Sequence, residues 1–188
     1  FFIDRTFREL GASGSAFETI AASGPQAALP HAEPGGRVIS SGEMTVIDCG
    51  ARFEGYCADI TRTLALGRLE PWQEEIYRIV RGAQLAALAV LAPGRTGREA
   101  DAAARNYIAA AGYGKFFGHG LGHGVGLAVH EAPSLSPYNE EPLPEGAVVT
   151  VEPGIYLPGR GGVRLEQMVL LTGDGCRVLN HDENFYDF

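Results

Sequence analysis

The apolar residues of this chain follow two periods. Between Pro71 and Leu91 (PWQEEIYRIVRGAQLAALAVL), Ile76, Val80, Ala83 and Ala87 recur at helical spacing. The run opens on a proline and closes before Pro93-Gly94, so the pattern predicts a helix over 71–91. Thr96-Gly97-Arg98-Glu99 has the form of a capping box, and the alanine-rich run behind it ends near Gly112, which predicts a second helix. The remainder is rich in β-branched and aromatic residues broken by glycine and proline, and reads as strands and loops.

Two of the strand-like segments repeat. Gly42–Gly50 reads GEMTVIDCG and Gly146–Gly154 reads GAVVTVEPG, an offset of 104 residues. Each is a glycine, five strand-forming residues, an acid, one residue and a glycine. The repeat suggests two halves, each with a strand ending in an acid, and a pseudo-twofold arrangement would bring those ends together. Each acid also has a downstream companion. Asp48 is followed across a Gly-bounded loop by Asp59, and Glu152 across a Pro/Gly-rich loop by Glu166. Two hairpins would then offer two carboxylates each, with Asp48 and Asp59 facing one another across the first.

Composition narrows what those acids can do. The chain has 188 residues, is 45% apolar and 20% charged, and suits one domain with an ordinary core. Its formal charge of −8 argues against nucleic acid as a partner, which would require a basic face. No apolar run is long enough for a membrane span. Cys49, Cys57 and Cys176 are odd in number and lack a C-x-x-C, so a disulfide framework is not expected and a cytoplasmic location is. The opening FFIDRTF carries no initiator Met or leader, and the chain reads as residues 1–188 of a catalytic domain whose preceding N-terminal region is not included.

Asp48 in MTVIDCG and Glu152 in VVTVEPG have neighbours that imply burial on both faces, and buried acids need partners. Four converging carboxylates repel unless protons or cations neutralise them. Two divalent cations would balance Asp48, Asp59, Glu152 and Glu166, and one neutral imidazole could complete the set. Hard oxygen donors with one nitrogen suit Mn, Co, Fe or Zn, and hydrolysis is the natural chemistry of such a site. Taken singly, each acid could instead be a turn cap, and Glu166 in VRLEQMVLL could face solvent on an alternating strand.

IDCG, ADITRT, GHGLGHGVGLAVHE, TVEPGIY and VRLEQMVL occur in this order, from about Phe17 to Thr172. Together they closely resemble the pita-bread metallopeptidases (peptidase family M24), which include methionine aminopeptidase, Xaa-Pro aminopeptidase, Xaa-Pro dipeptidase and creatinase. The resemblance implies an α+β fold, a curved antiparallel sheet with internal pseudo-twofold symmetry covered by helices. It implies two divalent metal ions, manganese first, on Asp48, Asp59, His123, Glu152 and Glu166, with Asp59 and Glu166 a close pair and Asp48 and Glu166 bridging. It implies His31, His119, His130 and Arg164 as substrate-binding residues, with His119 and His130 also catalytic beside Glu152, the proton carrier. His181 has no matching role and reads as a surface residue.

Two features resemble the proline-specific branch: the short gap from Glu152 to Glu166, and Arg164 two residues before Glu166 on the same strand face. An ion pair between Arg164 and a ligand carboxylate is compatible with that role. The implied activity is hydrolysis of Xaa-Pro bonds, in dipeptides or at peptide N-termini, by a homodimer. Methionine aminopeptidase, creatinase-like hydrolysis and a non-catalytic binding module are the alternatives. Gln167 and Ala128 stand where many relatives carry acids. Within GHGLGHGVGLAVHE the glycines are expected to let backbone pass close to metals and substrate. His130 lies at odd separation from His119 and His123, so a loop or bulge must intervene for it to reach the same site.

Overall fold

The computed structural model describes residues 1–33 and 35–180, so His181 lies outside the described residues. The first half carries α1 (Phe2–Glu9), β1 (Gly14–Ser15), β2 (Ile20–Ser23), β3 (Glu43–Cys49), β4 (Ala51–Phe53), β5 (Tyr56–Cys57) and β6 (Ile60–Leu66). Two helices follow, α2 (Pro71–Val90) and α3 (Gly97–Ala110). The second half carries β7 (Gly122–Gly124), β8 (Glu131–Leu135), β9 (Val148–Val151), β10 (Gly154–Leu157), β11 (Gly161–Arg164), β12 (Gln167–Thr172) and β13 (Gly175–Val178).

Both helices lie where the apolar period places them. Ile76, Val80, Ala83 and Ala87 of α2 are fully buried, in one core with Val149, Val151, Leu165 and Val169 of the second half. Thr96 caps α3 as expected, accepting from the Glu99 N–H at 3.1 Å while Glu99 accepts from the Thr96 N–H at 2.8 Å. A second capping box, Glu70 with Gln73, starts α2. It escaped the sequence reading because a glutamate is not among the favoured N-cap residues.

The sheets carry the repeat. In the first half β2, β3 and β6 pair antiparallel in the order β2-β3-β6; in the second, β13-β12-β9-β7-β8 form a five-stranded sheet. The units β2-β3-β6 and β7-β9-β12 correspond, so β3 leads into Asp48 as β9 leads into Glu152. Both hairpins continue past a break. In the second, Val151 pairs with Gln167 before the break and Gly154 with Arg164 after it, so Glu152 stands opposite Glu166 within it. In the first, Asp48 pairs with Thr61 and Arg52 with Cys57. The residue directly across from Asp48 is therefore Thr61, and Asp59 sits two residues along, opposite Gly50. The expected face-to-face pair of aspartates is a diagonal one, because the first hairpin's second acid comes earlier in register than the second hairpin's. The hairpins abut where the Glu166 N–H donates to the Thr61 carbonyl at 3.1 Å and the Thr63 hydroxyl donates to the Arg164 carbonyl at 2.8 Å.

Candidate metal centre and substrate cleft

The breaks put the acids at one point. Asp48, Asp59 and Glu166 offer ligand atoms within 4.8 Å of one another, as do His123, Glu152 and Glu166, and Asp59, His123 and His130. All five residues expected to hold metal are thus brought together, with His130 beside them. They form the floor of a cleft of about 390 Å3 whose walls include Phe17, Ile20, His31, His119 and Val129.

His123 enters on β7. Its Nδ1 faces the Gly124 carbonyl at 3.1 Å, and its Nε2 lies 3.2 Å from Glu152 Oε1 and 3.6 Å from Asp59 Oδ2. With Nδ1–H donating to Gly124, Nε2 presents a lone pair to two carboxylates, a contact that calls for a proton or a cation between them. β7 ends at Gly124, and the turn over 125–130 folds His130 back until its ring stands 4.1 Å from that of His123, edge-on. The intervening loop that the odd separation demanded is therefore present, with a register irregularity between Gly122 and Gly124.

Gly120 and Gly122 line the cleft, and two glycines of this stretch also have a packing role. A Cβ on Gly122 would overlap the Thr150 carbonyl of β9, and one on Gly124 the Ala132 carbonyl of β8; on Gly118 it would meet open space. The close approach is strand to strand, and it lets β7 lie between its neighbours.

Electrostatics match a cation site. Burial first, then the charges of Asp48 and Glu152, push Asp59 up to about 8. Burial and the charges of Glu152, Asp59 and Asp48 raise Glu166 well above the usual carboxylate range. Burial also works against the Glu152 charge, but the hydrogen bond and charge of His123 outweigh it and hold Glu152 low, while the same bond raises His123 against its own burial. Asp48 Oδ1 and Glu166 Oε1 are buried without a hydrogen-bond partner. Such oxygens are rare in a finished protein core and are what a metal ligand leaves free. The donor set, four carboxylates and one imidazole, fits two hard divalent ions.

Two expected substrate residues are otherwise engaged. Arg164 is buried, and its guanidinium donates to Thr61 Oγ1 (3.1 Å), Tyr156 Oη (3.1 Å), the Pro30 carbonyl (3.2 Å) and Asp48 Oδ2 (2.6 Å). His119 uses both ring nitrogens, Nδ1 with the Gly120 carbonyl and Nε2 with Tyr156 Oη, each at 2.8 Å. The directions are consistent with a neutral ring: Arg164 donates to Tyr156, Tyr156 to His119, and His119 to Gly120. Burial, which lowers the His119 pKa, favours that neutral form. Both residues line the cleft while making these bonds. His31 and His130 are exposed at the cleft, with no such hydrogen bond among the described residues.

Several residues escaped the sequence reading. Thr61 links the two halves of the site, accepting from Arg164 and donating to Glu166 Oε2 at 2.8 Å. Thr150 accepts from the His123 N–H and donates to Glu152 Oε1. Asp101 and Arg105 of α3 pair with each other and bond the Leu121 N–H and the Phe117 and His119 carbonyls, which fixes the approach to β7. The signal for Thr61 and Thr63 was a polar alternation on a strand that should bury apolar residues; for Asp101 and Arg105 it was an i,i+4 ion pair inside an alanine run.

The sequence model for metallopeptidase family M24 matches residues 2–173. The chain belongs to metallopeptidase family M24. The "Xaa-Pro dipeptidase" of Pyrococcus horikoshii is 50% identical over 173 residues, 92% of this chain and 49% of that protein. Among solved structures, "X-Pro aminopeptidase from Thermotoga maritima MSB8" superposes with a TM-score of 0.94 at 48% identity, covering 96% of this chain and 51% of that one. "Prolidase from Pyrococcus furiosus" superposes at 0.95 and 46% identity, covering 97% and 54%. The M24 chain described here thus has the pita-bread fold and spans about half the length of the curated relatives it matches. Among its described residues no helix is long and apolar enough to cross a membrane.

Proposed function

We propose that this M24 chain is the catalytic unit of a metal-dependent peptidase that hydrolyses the bond between a first residue and a following proline, in dipeptides or at peptide N-termini. The carrying observation is the convergence of Asp48, Asp59, His123, Glu152 and Glu166 on the cleft floor, with free buried oxygens on Asp48 and Glu166. Proline specificity is supported by the relatives named Xaa-Pro dipeptidase and X-Pro aminopeptidase.

When bound by those five residues, two divalent ions, manganese by expectation, would polarise the scissile carbonyl and supply an acidified water. Glu152 is the proton carrier: its carboxylate, on the cleft floor beside His123, accepts the proton of the attacking water and delivers it to the leaving nitrogen of proline. His130, exposed beside His123, donates to the carbonyl oxygen as negative charge develops there. His31, at the cleft rim, contacts the remainder of the substrate. Arg164 and His119 act through others, Arg164 by holding Asp48 and Tyr156, His119 by bracing Tyr156 against Gly120.

The test uses the full protein with added Mn2+ on Leu-Pro, a longer Xaa-Pro peptide and Met-Ala-Ser. Turnover confined to the Xaa-Pro substrates supports the proposal, with the split between the first two distinguishing dipeptidase from aminopeptidase. Turnover of Met-Ala-Ser would make it a methionine aminopeptidase, and no turnover a binding module. Asp59→Ala or Glu166→Ala should lose both bound metal and activity; full activity in either metal-free variant would overturn the mechanism.

A further inference from the structure

Gln84 is fully buried on the face of α2 that otherwise carries Ile76, Val80, Ala83 and Ala87. Its Nε2 donates to the Val151 carbonyl at 3.2 Å and to the Leu165 carbonyl at 2.8 Å. Those carbonyls belong to the peptide units whose N–H groups are those of Glu152 and Glu166. At the other end of each unit, the Glu152 N–H donates to the Leu121 carbonyl at 2.8 Å and the Glu166 N–H to the Thr61 carbonyl at 3.1 Å. A peptide unit is planar, so pinning its C=O and its N–H fixes the plane and the direction in which the next residue projects its side chain. The amide nitrogen has two hydrogens, one for each peptide unit. Arg81 Nη1 donates to Gln84 Oε1 at 2.6 Å, which dictates which end of the amide faces the two carbonyls.

We infer that Gln84 is a positioning residue for the metal centre: one helix amide, touching neither metal nor substrate, sets the relative orientation of Glu152 and Glu166 across the hairpin break. A carboxylate could not serve, since it would present acceptors to acceptors. The inference rests on the reading of Glu152 and Glu166 as metal ligands.

Gln84→Met keeps the length and helix preference of the side chain and removes both donors. The measurement is calorimetric titration of the metal-stripped protein with Mn2+ alone, with the visible spectrum of the Co2+-loaded protein as a second readout. Both are taken at a temperature where circular dichroism shows the variant folded. The expected result is an affinity about tenfold weaker or more, as for other groups that orient metal ligands, and a shifted Co2+ band. Ile108→Val, a core change in α3 with no bond to the site, should lower the melting temperature and leave Mn2+ affinity as it was. If Gln84→Met does not fold, Gln84→Asn keeps an amide too short to reach both carbonyls and takes the same test. A folded variant with unaltered Mn2+ affinity, stoichiometry and Co2+ band would overturn the role of Gln84 alone. Failure of the unmodified protein to bind Mn2+ would overturn the ligand reading and this inference with it.

Discussion

Stripping the metal should invert the usual dependence of stability on pH. In the metal-free protein Asp59 titrates at about 8, through burial and the charges of Asp48 and Glu152, and Glu166 is raised in the same direction. In the unfolded chain both carboxyls lose their protons near pH 4. Between those limits the folded state keeps protons that the unfolded state has released, so stability falls as pH rises. His123, raised by Glu152, adds to the fall as pH passes its folded value. His119 and His130, lowered by burial, act oppositely, but only below about pH 6.5, where an unfolded imidazole still carries charge. In the window from about pH 6.5 to 8 the carboxylates and His123 therefore act in the same direction, and His119 and His130 contribute little. Each retained proton is worth about 1.4 kcal/mol per pH unit, hence about 2 kcal/mol across the window. For a chain of this size that is roughly 4–8 °C of melting temperature from Asp59, with Glu166 adding in the same direction. The assay is thermal unfolding at pH 6.5 and 8.0 at constant ionic strength, with chelator and then with excess Mn2+. With chelator the melting temperature should be lower at pH 8; with Mn2+ the difference should vanish or reverse, because the ligands bind metal deprotonated. A chelated protein whose melting temperature is equal or higher at pH 8 would refute the reasoning.

Arg164→Met leaves Asp48 buried without its cation and should destabilise the protein by about 3–5 kcal/mol in urea unfolding, against under 1 kcal/mol if the pair were incidental. Thr61→Val removes the donor to Glu166 and the acceptor for Arg164 and should cost about 1–3 kcal/mol, while Thr61→Ser stays close to the unmodified protein; equal losses in the two variants would point to packing instead. Gly122→Ala drives a methyl group into the Thr150 carbonyl, so loss of soluble folded protein, or a drop in stability above about 3 kcal/mol, is expected on expression and chemical unfolding.

The parts legible in the sequence were those with a local cause. α2 and α3 announce themselves by apolar period and, for α3, by the Thr96–Glu99 cap. Asp48 and Glu152 were legible because an acid among buried residues is conspicuous and because the GEMTVIDCG and GAVVTVEPG segments repeat; Asp59 and Glu166 followed as their hairpin companions, and His123 was named only by the resemblance to the metallopeptidases. The halves are not copies, however. In the first hairpin Asp48 sits opposite Thr61, whereas in the second Glu152 sits opposite Glu166. Register depends on where each ladder breaks, and the composition of the loop between two strands does not disclose that.

What stayed hidden were the long-range partners. A histidine or arginine near a cluster of acids suggests contact with substrate, yet the substrate competes with whatever the fold has already placed there. For Arg164 the fold placed Thr61, Tyr156, Pro30 and Asp48, and for His119 it placed Tyr156 and Gly120. A buried guanidinium beside Asp48 offsets part of the repulsion among four carboxylates, and that pairing is compatible with a place for Arg164 in the cleft wall. All four residues line the cleft, and burial separates them: Arg164 is buried and His119 half-buried among their hydrogen-bond partners, while His31 and His130 are exposed.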